Sequence, residues 1–122
     1  MDASTLTVSN SSFYNNQATF YGGAINTNSS VAFTSNNNTL SGNTSQKGDA
    51  LYIGGISTAT LNNSIFANSS SSSDCYLLNT TSTVNFSTGT TNIIETDATG
   101  TNACGTATID YLATDPNVIL DN

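Results

Sequence analysis

Charge is what this chain has least of. Only 7% of its 122 residues are charged, as eight carboxylates against the single cation Lys47, with no arginine and no histidine; an average globular chain has about 25%. A net charge of −7 leaves nothing to neutralise phosphates, so nucleic acid is not an expected partner, and an anionic membrane surface is disfavoured for the same reason. Without histidine there is no serine-type triad and no zinc site of familiar spacing. No run of about 18 apolar residues is present, so no helical segment of the sequence spans or inserts into a membrane. No charged stretch followed by an apolar one opens the chain, so no signal peptide is visible. The repeats start directly after Met1, as expected of a segment cut from a longer or processed precursor. The usual helix formers Leu, Glu, Lys and Arg are scarce, and no sustained helical period occurs. The one proline, Pro116, lies beyond the last strand-like run, where its missing N–H does little harm.

What is present is repetition. Phe13-Tyr14-Asn15-Asn16 is followed by Gly22-Gly23-Ala24-Ile25, and Leu40-Ser41-Gly42-Asn43 by Gly48-Asp49-Ala50-Leu51. A degraded third copy runs from Ile65-Phe66-Ala67-Asn68 to Asp74-Cys75-Tyr76-Leu77. Asn16, Asn43 and Asn68 stand 27 (43 − 16) and 25 (68 − 43) residues apart. A period of that size marks units that bury their apolar faces only by stacking on one another. Regularly spaced aliphatics also argue against disorder, the other reading of a Ser/Thr/Asn-rich composition. The five serines Ser69 to Ser73 read as a loop leaving the stack.

Alternation precedes each asparagine motif: Leu6 and Val8, Val31 and Phe33, Ala59 and Leu61, Val84 and Phe86, Ile109 and Tyr111 point one way, with Thr7, Ala32, Thr60, Asn85 and Asp110 between. Period-two patterning in short β-branched and aromatic runs means strands with one buried face. About 25 residues per turn is too short for a propeller blade. The expected fold is all-β: one right-handed, single-stranded parallel β-helix spanning 1–122, with four to five coils at approximately 5–29, 30–57, 58–80, 81–105 and 106–122.

The corner residues have structural roles available. Asn tolerates the left-handed region and can hydrogen-bond its counterpart in the next coil, which accounts for Asn16, Asn43 and Asn68. Gly22, Gly23 and Gly48 supply a second corner that a Cβ would crowd. Cys75 and Cys104 are the only cysteines, one repeat apart. A disulfide clipping the last coils, and with it an oxidising, extracellular or cell-surface setting, is the favoured reading over free buried thiols.

At this point the residues carry a resemblance. Phe13…Asn16 with Gly22-Gly23-Ala24-Ile25 resembles the FxxN and GGAI repeats of polymorphic outer-membrane adhesins, whose passengers are right-handed parallel β-helices. From Asn62 to Asn122 the chain is similar to the C-terminal coils of variably anchored bacterial and archaeal surface proteins. The matching steps are Asp74-Cys75, Cys104-Gly105 and Thr114-Asp115-Pro116 through Leu120-Asp121-Asn122. The resemblance implies a β-helix in a cell-surface context and leaves the ligand open.

Three functions compete. The first is an extracellular structural or adhesive rod that binds surface glycans or proteins, or associates end to end into a fibre, given how little precedes Leu6 to cap the first coil. The second is ice binding through a TxT face of Thr5 and Thr7, Thr58 and Thr60, Thr81 and Thr83, Thr106 and Thr108, since residues i and i+2 of a strand share one face. The third is a polysaccharide-active enzyme using Glu95 and Asp97, with Asp110 or Asp115 approaching from the next coil. With no basic partner for that chemistry, the expectation is that the chain is not an enzyme and needs no cofactor or metal. The numerous Asn-x-Ser/Thr sequons, at Asn10, Asn28, Asn37, Asn43, Asn62, Asn68, Asn79 and Asn85, permit glycosylation without requiring it.

Overall fold

A computed structural model describes residues 4–87 and 91–105. These residues form three parallel sheets wound into a β-solenoid of about three turns, with one short 3₁₀ turn at Gly100–Asn102. The first sheet stacks β1 (Ser4–Ser9), β4 (Val31–Asn36), β7 (Thr58–Asn62) and β10 (Thr83–Phe86). The second stacks β2 (Ser12–Tyr14), β5 (Thr39–Ser41), β8 (Ile65–Ala67) and β11 (Ile93–Ile94), and the third stacks β3 (Ile25–Thr27), β6 (Leu51–Ile53) and β9 (Cys75–Leu77). The last expected coil, 106–122, lies outside the described residues, and with it Ile109, Tyr111, Asp110, Asp115, Thr106 and Thr108.

Register follows the apolar period. Leu6 pairs with Phe33, Phe33 with Ala59 and Ala59 with Val84, giving one inward column. Phe13, Leu40, Phe66 and Ile94 form the column of the second sheet, and Ile25, Leu51 and Cys75 that of the third. Most of these side chains are fully buried and share one core. In the second coil Val31 and Phe33 point inward as expected, Val31 half-buried, and Ser35 follows them on the same face opposite Val8. Ser35 occupies an apolar column because its hydroxyl is satisfied inside, by Ser64 Oγ at 3.0 Å and the Asn38 amide at 2.8 Å.

The corners between sheets use left-handed backbone. Asn10, Asn37 and Asn63 turn the chain from the first sheet to the second, with φ of 51°, 54° and 48°. Asn15, Gly42 and Asn68 turn it out of the second, with φ of 53°, 64° and 58°. The left-handed asparagine is therefore Asn15, one residue before the expected Asn16, and the third copy is shifted too. Phe66, rather than Ile65, is the counterpart of Phe13, so Asn68 stacks over Gly42 and its spacing to Asn43 is not a structural repeat.

Asn16 and Asn43 do pair, though by a different device. Asn43, wholly buried, accepts the backbone and side-chain N–H of Asn16 at 2.9 and 3.0 Å and donates to the Phe13 carbonyl at 3.1 Å. The same exchange recurs at the first corner. Asn38 accepts from the Ser11 N–H at 2.9 Å and donates to the Val8 carbonyl at 2.8 Å; Asn92 accepts from the Ser64 N–H at 2.9 Å and donates to the Leu61 carbonyl at 3.0 Å. Each buried amide thus satisfies a donor and an acceptor that the turn leaves unpaired in the preceding coil.

Candidate functional site

Among the described residues, two surface regions and a set of buried carboxylates hold the groups able to do chemistry. The first region is the outer face of the first sheet. Thr5, Ala32, Thr58 and Thr83 form one outward column, and Thr7, Thr34, Thr60 and Asn85 the next. Coils stack at about 4.8 Å and same-face neighbours lie about 6.6 Å apart along a strand, so the face is a two-column array of hydroxyls and methyls. Thr83 donates to Thr58 Oγ1 across coils at 3.2 Å. Thr34 belongs to this array although the spacing TxT does not mark it. Thr81 does not belong: it precedes β10 and binds the Asn79 side chain through its N–H at 3.0 Å. The expected pair Thr81/Thr83 is thus replaced by Thr83/Asn85, because coil three to coil four steps by 25 residues, not 23. A third column runs alongside, Ser9, Asn36 and Asn62, linked by side-chain hydrogen bonds of 3.4 and 2.7 Å.

The second region is a groove of about 550 Å³ on the stretch between the second and third sheets, lined by Gln17, Ala18, Thr19, Thr44, Ser45, Gln46 and Ser71. Main-chain pairing holds its walls: Gln17 bridges Thr44, and the Ala18 N–H reaches the Thr44 carbonyl at 3.0 Å. One step further along the chain stand Phe20, 60% exposed, and Tyr21. The Tyr21 ring stacks on Tyr52 at 4.5 Å and Tyr52 on Tyr76 at 5.7 Å, with Lys47 Nζ 5.3 Å from the Tyr76 ring centre. Burial, then the neighbouring Tyr21 and Tyr76 hydroxyls, push the Tyr52 phenol upward.

Below the groove lies Asp49, wholly buried. Its Oδ1 accepts the Ser45 N–H at 2.6 Å and the Ser71 and Ser72 hydroxyls at 3.0 and 2.9 Å; its Oδ2 accepts the Ser71 and Ser72 N–H groups at 3.2 and 2.7 Å. The serine run Ser69 to Ser73 is therefore bound down onto the solenoid and does not leave it as a loop. Asp74 repeats the arrangement one coil on, accepting the Ser69 hydroxyl on Oδ1 and the Thr96 N–H on Oδ2 at 2.8 Å. With fewer donors than Asp49 it stays under-solvated: burial foremost, with lesser repulsion from Glu95 and Asp49, pushes its carboxyl up to about 6. Asp97 accepts N–H groups of Ala98, Cys104 and Gly105 at 2.8, 2.9 and 3.0 Å, yet burial still raises it.

The expected pairing of Glu95 with Asp97 on one strand face is not found. The strand ends at Ile94, Glu95 is buried and accepts the Asn68 N–H, and Asp97 serves the turn that carries Cys104. Asp97 is committed to backbone donors, whereas Glu95 accepts through Oε2 alone and its buried Oε1 has no hydrogen-bond partner; the two do not alternate on a strand. Gly22 and Gly48 take left-handed φ of 59° and 66°, and a Cβ on Gly23 would meet the Asp49 carbonyl oxygen at 2.4 Å. Cys75 and Cys104 form a disulfide between neighbouring coils, Cα atoms 6.0 Å apart.

Among the described residues, no group of three or more Cys, Asp or Glu is placed to hold a metal, and no helix is long and apolar enough to cross a membrane. A scan of protein-family models finds no match for this chain, and no curated protein and no solved structure matches it either.

Proposed function

We propose that the chain is an extracellular structural and adhesive segment of a surface or secreted protein, a stiff right-handed β-helical rod that holds glycans, proteins or further copies of itself. One observation supports this reading above the rest: the two kinds of surface differ in what their polar groups are doing. The interior amides Asn38, Asn43 and Asn92 and the carboxylate of Asp49 are spent on groups of the fold, whereas the outer columns present threonine at three of four coils each, with Ala32 and Asn85 as the exceptions. A surface of equivalent, weak, evenly spaced contacts binds by avidity, and a rigid rod keeps those contacts in register. The disulfide Cys75–Cys104 fits an oxidising compartment.

The test compares monovalent with tetravalent display of the full chain on immobilised neutral glycans and on cell surfaces. Retention of the tetramer at a concentration at least about 100-fold below that of the monomer supports the adhesive reading. No retention of either form on any of these surfaces rejects it.

The Thr array favours a second reading, ice binding. The column Thr7–Thr34–Thr60 is unbroken over three coils. Ice shaping by the wild-type chain, lost in Thr34→Tyr and Thr60→Tyr while circular dichroism stays unchanged, would establish it. Round, unshaped ice crystals with the wild-type chain remove it.

A further inference from the structure

We propose that the groove lined by Gln17, Thr19, Gln46 and Ser71 is a binding subsite for a neutral saccharide; this rests on the adhesive reading above and names its ligand class. The volume of about 550 Å³ falls within the roughly 300–1,000 Å³ of small-molecule sites. The lining chemistry narrows the choice. Gln17 and Gln46 are exposed primary amides, each able to donate and accept, which is the pairing that vicinal sugar hydroxyls present. Thr19 adds a hydroxyl. Ser71 spends its proton on Ser45 and Asp49, so its oxygen remains an acceptor. Phe20 follows the lining residue Thr19 in the chain and is largely exposed, an apolar ring of the kind suited to the C–H face of a pyranose.

Charge disfavours acidic ligands. The groove itself carries no ionisable side chain, the one cation, Lys47, is held over Tyr76, and a net charge of −7 repels uronates and other acidic sugars. The floor is rigid. Ser45 and Ser71 are fixed by the same buried carboxylate, Asp49, so a ligand meets donors and acceptors already in place and orders little on binding. A single open subsite of this kind predicts affinity on the order of millimolar, useful when repeated on one surface.

The experiment is an amide NMR titration of the full chain with maltotriose, cellotriose, mannotriose and, as the acidic probe, trigalacturonate. The expected result is saturable shifts at Gln17, Thr19, Gln46 and Ser71 with at least one neutral trisaccharide and none with trigalacturonate. The exposed double substitution Gln17→Ala with Gln46→Ala then weakens binding about tenfold, and Phe20→Ala weakens it separately. Shifts confined to β1, β4 and β7, equal shifts with trigalacturonate, or none with any neutral probe overturn the proposal. The two readings separate in the display assay. If the double variant is retained on glycan surfaces as well as the wild type, the groove assignment fails and the adhesive rod stands. If the wild type is not retained at all, both fail.

Discussion

Asp49 and Asp74 are both wholly buried on successive coils, out of register by one residue, yet replacing each by asparagine should have opposite effects. Asp74 has one oxygen facing a backbone N–H, from Thr96, and one facing the Ser69 hydroxyl. An amide fits that pattern: its oxygen accepts from Thr96 and its NH₂ donates to Ser69, whose hydroxyl reverses its role. Removing the charge removes the desolvation that lifts the carboxyl from 3.8 to about 6, a difference that corresponds to on the order of 3 kcal/mol. Asp49 offers no such exchange, because Oδ1 faces the Ser45 N–H and Oδ2 faces those of Ser71 and Ser72. Either orientation of an amide sets NH₂ against N–H in a buried site, a loss of about 3 kcal/mol or more. The pH dependence has the corresponding sign. Because the folded-state value of Asp74 lies above its unfolded one, the stabilisation is complete below about pH 4 and is lost as pH rises through about 6. The raised carboxyl of Asp97 acts in the same direction. Urea unfolding followed by far-UV circular dichroism, at about pH 4.5 and pH 7.5, measures all of this. Wild type should be more stable at the lower pH, Asp74→Asn more stable than wild type at the higher pH and flatter between them, and Asp49→Asn destabilised at both. Wild-type stability that rises with pH across that window, or an Asp74→Asn protein weaker than wild type at neutral pH, would refute the reasoning.

Three further outcomes are expected. Replacing both cysteines by serine opens a cross-link between residues 29 apart, for which the loop-entropy relation gives about 3–4 kcal/mol; unfolding of the double variant under non-reducing conditions measures it, and a loss under about 1 kcal/mol would contradict the clip. Gly23→Ala drives a Cβ to 2.4 Å from the Asp49 carbonyl oxygen and 2.7 Å from that of Thr44, neither of which can move without breaking the coil-to-coil ladder. A loss of about 2–3 kcal/mol should follow, against about 1–2 kcal/mol for Gly100→Ala, where the space is open and only the left-handed φ of 63° opposes a side chain. Tyr52→Ala removes the middle ring of the Tyr21–Tyr52–Tyr76 stack and should cost about 3–5 kcal/mol, whereas Tyr52→Phe keeps the stack and should cost far less; equal losses would mean the hydroxyl, not the ring, matters.

The solenoid is legible in the sequence because its period is carried by apolar residues, and parallel stacking makes each one predict its neighbour. Phe13, Leu40 and Phe66 are found by any reader who looks for recurring bulk. Register was harder to read where a coil changes length or where polar residues stand in the core. Coils advance by 27, 26 and 25 residues in the first sheet, so a fixed offset slips by one at Asn68 and by two at Thr81. Ser35 hides in an inward column, and its only signal is Asn38 three residues later, the partner that makes its burial affordable. The corner amides Asn38 and Asn92 sit in runs of Asn, Ser and Thr where nothing local distinguishes the buried residue from its exposed neighbours. What separates them is the partner 26 to 31 residues away, information that composition does not contain. The groove was invisible for the same reason, since Gln17, Gln46 and Ser71 meet only after winding. By contrast Gly22-Gly23 and Gly48-Asp49 announced their corner locally, because backbone crowding leaves so few residues that fit.

The scarcity of charge follows from the same architecture. In a parallel stack each side chain lies about 4.8 Å from its equivalent above and below, so an outward charge repeated in successive coils would face its own kind along a whole column. Hydroxyls and amides escape this, because each is both donor and acceptor and can hand a hydrogen bond to its counterpart, as Thr83 does to Thr58 and Asn62 to Asn36. Among the described residues, Asp49 and Asp74 stand where the next coil supplies N–H groups, and Asp97 accepts those of its own turn. A chain built this way has neutral, repetitive, hydrogen-bonding outer faces as a consequence of its own stability. On the adhesive reading proposed above, the ligands it would hold are surfaces with the same character, neutral and periodic in hydroxyls. Adding a charge to a central column therefore tests fold and function together. Thr34→Asp places one carboxylate between Thr7 and Thr60, where no like charge opposes it, and should change stability by less than about 0.5 kcal/mol. The triple substitution of Thr7, Thr34 and Thr60 by Asp stacks three, and should lose clearly more than three times the single effect, with the excess falling as salt is raised. Simple additivity at low salt would show that the columns do not sense one another, and would remove this account of why the chain is so poor in charge.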